Sequence, residues 1–193
     1  MRFGLMRRFR RGHRFSMSLT YRCNLDCSYC TMKMPSGKVP TKYKEKPFKD
    51  YKEFIDKWPY RIQEISITGG SPELHKDFVA IVEYILSKGI YVSVFTNLMR
   101  PDILEQLPRS RKLIFNASFH HCGQSISEYT RTYNRLKKNY RVVVHEIGKR
   151  YLPYSTLSQF ETEAKLRGKD YCLRVAPDLE IKLNCWKLFN SYV

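Results

Sequence analysis

Phe15-Ser16-Met17-Ser18-Leu19 is followed, across Thr20, Tyr21 and Arg22, by Cys23-Asn24-Leu25-Asp26-Cys27-Ser28-Tyr29-Cys30. Phe15, Met17 and Leu19 alternate with polar residues, the period of a strand with one buried face. The cysteines follow at once, spaced Cys23-x3-Cys27-x2-Cys30, so their thiols can converge at the end of that strand. Thiolates suit iron-sulfur clusters, which ordinarily take four cysteine ligands; a loop supplying three leaves one iron open to another molecule. A structural zinc ion also takes four ligands, and here its fourth would come from afar, from His13 or Cys122.

Outward from this loop the sequence alternates short apolar runs with helical stretches, the pattern of strand-helix units on a parallel sheet. Further strands are expected at Ile62 to Thr68, Ile90 to Thr96, Lys112 to Phe119, Arg141 to Ile147 and Tyr171 to Val175. Helices are expected around Phe48 to Trp58, from about Pro72 to Gly89, near Pro101, from Ser125 to Lys138 and from Ser158 to Arg167. Eight such units need about 250 residues in a complete barrel, so six need about 190. The chain has 193, and the expected fold is α/β, a partial (β/α)6 barrel of parallel strands.

Composition narrows the class. With 42% hydrophobic and 14% aromatic residues the chain can bury a core. No apolar run approaches the roughly 20 residues that span a bilayer, and the start lacks the apolar stretch of a secretory signal, so a cytoplasmic protein with reduced cysteines and no membrane partner is expected. Lys and Arg number 35 against 18 Asp and Glu, a formal charge of +17. The excess gathers in residues 1–14, with six arginines and no acid, and between Thr31 and Pro47, where five lysines meet only Glu45. Three segments are expected: a basic arm at 1–14, a core domain at 15–179 and a tail at 180–193. Cys122, Cys172 and Cys185 lack close pairing and read as small buried hydrophobes.

From Cys23 to Cys30 the sequence resembles the signature of the radical S-adenosylmethionine (radical SAM) superfamily, down to the aromatic Tyr29 before the third cysteine. The resemblance implies a radical SAM core domain, without the cysteine-rich C-terminal domain of larger members. It further implies a 4Fe-4S cluster on Cys23, Cys27 and Cys30 whose open iron is chelated by S-adenosylmethionine. Fed by an external electron donor, such a cluster splits the sulfonium into methionine and a 5'-deoxyadenosyl radical that abstracts a hydrogen atom. Tyr29 would lie beside the adenine. Thr68-Gly69-Gly70-Ser71-Pro72 resembles the family's Gly-Gly-Glu-Pro loop, which contacts the amino group of the methionine moiety, with Ser71 in place of the glutamate. Gly69, Gly70, Ser71 and Pro72 are therefore cofactor-binding candidates, the glycines leaving room for a ligand to approach the backbone. In the family, polar residues ending the third to fifth strands hold the ribose and carboxylate, which here implies Asn97 and Ser118.

His120 and His121, beside the fourth strand end, are the candidates for substrate contact or proton transfer. The basic segments point to a nucleic acid or acidic peptide as substrate. They also leave a rival open: a non-catalytic, metal- or cluster-stabilised RNA-binding protein, which would explain the charge but not the glycine loop.

Overall fold

The structure, a computed structural model, describes residues 12–27, 30, 44–120, 123–148 and 171–175. The strands are β1 (His13–Thr20), β2 (Ile62–Gly69), β3 (Tyr91–Thr96), β4 (Leu113–His120), β5 (Arg141–Gly148) and β6 (Tyr171–Val175). Between them lie helices α1 (Phe48–Lys57), α2 (Phe78–Ser87), α3 (Pro101–Leu104) and α4 (Ile126–Lys137). The helix expected at Ser158 to Arg167, the tail at 180–193, residues 1–11 of the basic arm, Tyr29 and His121 lie outside the described residues.

All strand pairs are parallel, and the strands are bonded in chain order, β1-β2-β3-β4-β5-β6. Crossovers between parallel strands of one sheet are right-handed, so a sheet whose order never reverses keeps its helices on one side. A sheet wound in one direction curls into a barrel wall, here a partial (β/α)6 barrel.

Alternation gives the wall two unlike faces. One register row runs Met17, Ile67, Val94, Phe115, Val142, and its central members are fully buried. With Phe78, Ile81, Val82 and Ile85 of α2 and Tyr129, Tyr133 and Leu136 of α4, these residues form one apolar core. The row one residue earlier runs Ser16, Ser66, Ser93 across the first three strands. Farther along the same face Ser18 bonds Thr68 at 3.2 Å, Asn116 donates to Ser93 at 2.6 Å, and His145 Nε2 lies 2.9 Å from Asn116 Oδ1. The helix side is oily and the opposite face is hydroxyl-rich.

The helix expected from Pro72 is broken in two. Pro72–Leu74 forms a single 3₁₀ turn, in which the N–H groups of Leu74 and His75 bond carbonyls three residues back, and α2 begins only at Phe78. His75 holds the break. Its Nε2–H donates to the Lys46 carbonyl at 2.9 Å and its Nδ1 accepts the Asp77 N–H at 3.1 Å, while Asp77 accepts the Phe48 N–H at 3.0 Å. One histidine thus ties the starts of α1 and α2 together.

Phe115 is fully buried between helices and sheet, so Phe115→Ala should cost about 3–5 kcal/mol in denaturant unfolding of the cluster-free protein. The exposed Glu128→Ala should change stability by no more than about 0.5 kcal/mol.

Candidate functional site

The site is built where β1 and β2 end. Beyond the last ladder pair, the Gly70 N–H donates to the Thr20 carbonyl at 2.9 Å and the Ser71 N–H to the Arg22 carbonyl at 2.7 Å. The glycine loop is thereby bonded to the chain leading into the cysteines. Gly69 has φ +141°, in the region that favours glycine, and a Cβ there would stand 2.3 Å from the Thr20 oxygen. A Cβ on Gly70 would stand 2.2 Å from the Arg22 oxygen. At both positions the space that a side chain would need is taken by the backbone of Thr20 to Arg22.

Side chains brace the same junction. Thr20 Oγ1, fully buried, accepts the Arg22 N–H at 3.0 Å and donates to Glu45. Arg22 forks onto Glu45, with Nε 2.8 Å from Oε1 and Nη2 3.1 Å from Oε2, and also donates to the Leu74 carbonyl. Burial pushes the Glu45 carboxyl up, but hydrogen bonds from Arg22 and Thr20 and the Arg22 charge outweigh it and hold the group below its ordinary value. The lone acid of the lysine-rich segment thus pins residues 44–47 at the carboxyl end of β1.

Cys23, Cys27 and Cys30 are free thiols. Cys23 Sγ receives the Leu25 N–H at 3.4 Å and lies 3.4 Å from Ser71 Oγ. Cys27, buried, has its Sγ 3.7 Å from His120 Nδ1, and its carbonyl accepts the Cys30 N–H at 3.2 Å. Among the described residues no three His, Cys, Asp or Glu side chains gather closely enough to hold one metal ion. Three thiols from one short loop are the donor type that suits iron-sulfur ligation, and a hydrogen bond such as that from the Leu25 N–H to Cys23 Sγ is of the kind cluster sulfurs accept.

His13 does not serve as a zinc ligand here. It lies at the amino end of β1, stacked on Tyr60 and edge-on to Trp58, while the cysteines follow the carboxyl end, roughly 23 Å away at about 3.3 Å per residue.

The remaining candidates have differing surroundings. Asn97 is buried; its Nδ2 donates to Ser71 Oγ at 3.0 Å and its Oδ1 accepts the Met99 N–H at 3.1 Å. Ser118 lies half-buried on the polar face, in register with His145. Pro72 is buried in the first position of the 3₁₀ turn. Next to Asn97, Leu98 adopts φ 60°, a strained conformation for leucine, with its N–H on Thr96 Oγ1 at 3.0 Å.

Arg22, Gln124 and Glu73 were not among the sequence candidates. Gln124 bridges strand ends, accepting the His120 N–H at 2.7 Å and donating to the Asn97 carbonyl at 2.6 Å. Nothing in the sequence marks it. Glu73 is 3% exposed; Oε1 accepts the Thr96 hydroxyl at 2.9 Å, and Oε2 has no hydrogen-bond partner among the described residues. Burial raises its carboxyl above the ordinary range. A raised carboxyl costs stability as pH rises above its unfolded value, with the cost complete above its folded value. Glu73→Gln, mimicking the protonated form, should therefore raise the melting temperature at pH 8 relative to the parent and lose that advantage at pH 4. A pH-independent difference would contradict the buried-acid assignment.

A family profile described as the Radical SAM superfamily matches residues 17–151. Over 97 residues the chain is 30% identical to an S-adenosylmethionine-dependent nucleotide dehydratase of Selenomonas ruminantium, covering 48% of this chain and 33% of that protein. Over 104 residues it is 34% identical to a GTP 3',8-cyclase of Haemophilus ducreyi, covering 51% and 30% respectively. The crystal structure of Streptococcus suis SuiB bound to S-adenosylmethionine superposes with a TM-score of 0.66 at 13% identity, over 93% of this chain and 42% of that one. The chain thus matches about a third of the length of these curated relatives, and the SuiB likeness concerns the fold.

Proposed function

The chain belongs to the radical SAM superfamily, which implies a 4Fe-4S cluster and S-adenosylmethionine as cofactors, and we propose that it is an enzyme whose cluster is held by Cys23, Cys27 and Cys30. The observation that carries this proposal is the bonding of the cysteine loop to the glycine loop through Thr20, Arg22, Gly70 and Ser71. When bound, the cluster supplies one electron to the S-adenosylmethionine sulfonium, releasing methionine and a 5'-deoxyadenosyl radical that takes a hydrogen atom from the substrate. The chain's own residues hold and orient. The Gly69–Gly70 backbone fixes the position of Cys23, Arg22 and Glu45 lock the loop's entry, and Gln124 joins the ends of β3 and β4 beside Cys27. Gly69, Gly70, Ser71 and Pro72 form the wall toward the methionine moiety, Tyr29 the contact to adenine, and Asn97 and Ser118 the polar edge of the cofactor site. His120 and His121 are the groups proposed to meet substrate. An external low-potential donor supplies the electron.

The finer proposal is an anionic, phosphate-bearing substrate of the nucleotide class. Support comes from the formal charge of +17, from Glu45 holding exposed Lys44 and its neighbour Lys46 at the carboxyl end of β1, and from the two relatives named for nucleotide and GTP chemistry. No helix among the described residues is long and apolar enough to cross a membrane. The RNA-binding alternative accounts for the charge but gives the junction of the cysteine and glycine loops no purpose.

Anaerobic reconstitution should load about four irons and four sulfides per chain, and replacing Cys23, Cys27 and Cys30 together by Ala should abolish loading. With a strong reductant the loaded protein should convert S-adenosylmethionine to methionine and 5'-deoxyadenosine. A full cluster in the triple variant, or a loaded protein yielding no 5'-deoxyadenosine, would overturn the enzyme assignment. Nucleoside triphosphate binding should weaken steeply with salt; salt-insensitive binding of an uncharged metabolite would overturn the substrate class.

A further inference from the structure

Ser71 stands where the resembling loop has a glutamate, and it is fully buried between two polar atoms. Asn97 Nδ2 lies 3.0 Å from its hydroxyl oxygen on one side, and Cys23 Sγ 3.4 Å away on the other. The Asn97 amide cannot be turned over without loss, because its Oδ1 accepts the Met99 N–H at 3.1 Å. Its Nδ2, which only donates, therefore faces Ser71 and occupies a lone pair of the hydroxyl. A hydroxyl has one hydrogen, and with Asn97 already donating to the oxygen that hydrogen is left for the sulfur. A metal-bound Cys23 thiolate carries no hydrogen of its own, so the direction is fixed from both ends. The backbone of Ser71 is held in place by its N–H bond to the Arg22 carbonyl at 2.7 Å.

We propose that Ser71 is a positioning residue that donates a hydrogen bond to Cys23 Sγ and thereby raises the reduction potential of the cluster, with Asn97 orienting its hydroxyl. The inference rests on the cluster assignment above. One electron from a low-potential donor reduces the cluster, and no proton moves. The added negative charge is shared with the ligand sulfurs, so a hydrogen bond to sulfur is stronger in the reduced form and makes reduction easier. A glutamate at position 71 could not take over this role: an ionised carboxylate has no hydrogen to give. Asn97, assigned from the resemblance to the cofactor's polar edge, acquires a second task on its other side, holding the donor that faces the cluster.

The test uses reconstituted parent protein, Ser71→Ala, Ser71→Gly and Ser71→Thr, assayed for iron and sulfide and then titrated against applied potential by EPR without S-adenosylmethionine. Ser71→Ala and Ser71→Gly should keep about four irons while their reduced-to-oxidised ratio at the parent's midpoint falls about tenfold, equivalent to a midpoint lower by roughly 59 mV for one electron. Ser71→Thr, which keeps the hydroxyl, should stay within about twofold of the parent. An unchanged midpoint in a loaded, hydroxyl-free variant overturns the proposal. So does loss of the cluster in both hydroxyl-free variants with retention in Ser71→Thr, for Ser71 would then be required for assembly instead of setting the potential. A parent protein that takes up no iron would instead overturn the cluster assignment itself, an outcome distinct from either.

Discussion

Two backbone hydrogen bonds, from Gly70 to Thr20 and from Ser71 to Arg22, continue the β1–β2 pairing past the ends of the strands. They form only because Gly69 and Gly70 lack the Cβ atoms that would lie 2.3 Å and 2.2 Å from the carbonyl oxygens of Thr20 and Arg22. Loops that leave a sheet usually depend on side chains for their shape; here the first cysteine is one residue beyond a backbone-bonded segment. The position of Cys23, the approach of Ser71 to its sulfur and the anchoring of Glu45 all follow from this contact. Functional side chains sit more accurately when the element that carries them is held by the scaffold, and this loop is held as a strand would be.

The two faces of the sheet divide the work. Ile67, Val94 and Phe115 bind the helices and supply the stability of the wall, whereas Ser93, Asn116 and His145 give the opposite face a hydrogen-bonded lining. Buried polar residues are tolerated where they satisfy one another, and here the bonds run from strand to strand across β3, β4 and β5. Glu73 is a buried carboxyl with one oxygen unpartnered among the described residues, and it lies in the turn that follows the glycine loop. The strained backbone of Leu98 lies near it, beside Asn97, whose side chain bonds Ser71.

Much of this architecture was legible in the sequence because it rests on short-range periodicity. The alternation of Leu113 to His120 and the helical spacing of Tyr129, Tyr133 and Leu136 map directly onto the burial found in β4 and α4. The cysteine spacing marks a candidate site for the same reason, since thiols that are to converge on one centre are close in the chain. What escaped were long-range pairings. Gln124 ties the end of β4 to the Asn97 carbonyl just past β3, 27 residues away, Arg22 acts on an acid 23 residues away, and His75 on the carbonyl of Lys46; no local pattern announces any of them. The break between Pro72 and Phe78 escaped too, because a proline at a helix start reads the same whether an α-helix or a 3₁₀ turn follows. The glycine pair reads in the sequence as a place where a ligand approaches the backbone, and the sequence does not show that the side-chain direction at both positions is filled by the protein's own Thr20 to Arg22 backbone.

The claim on which the rest depends is that three cysteines of one loop hold a cluster with one iron left open. Mössbauer spectra of protein reconstituted with isotope-enriched iron, recorded before and after addition of S-adenosylmethionine, address it without any substrate. The account predicts that roughly a quarter of the iron signal, one site in four, changes when S-adenosylmethionine is added while the remainder keeps the parameters of thiolate-bound iron. A spectrum unaltered by saturating S-adenosylmethionine, with all irons equivalent, would contradict it.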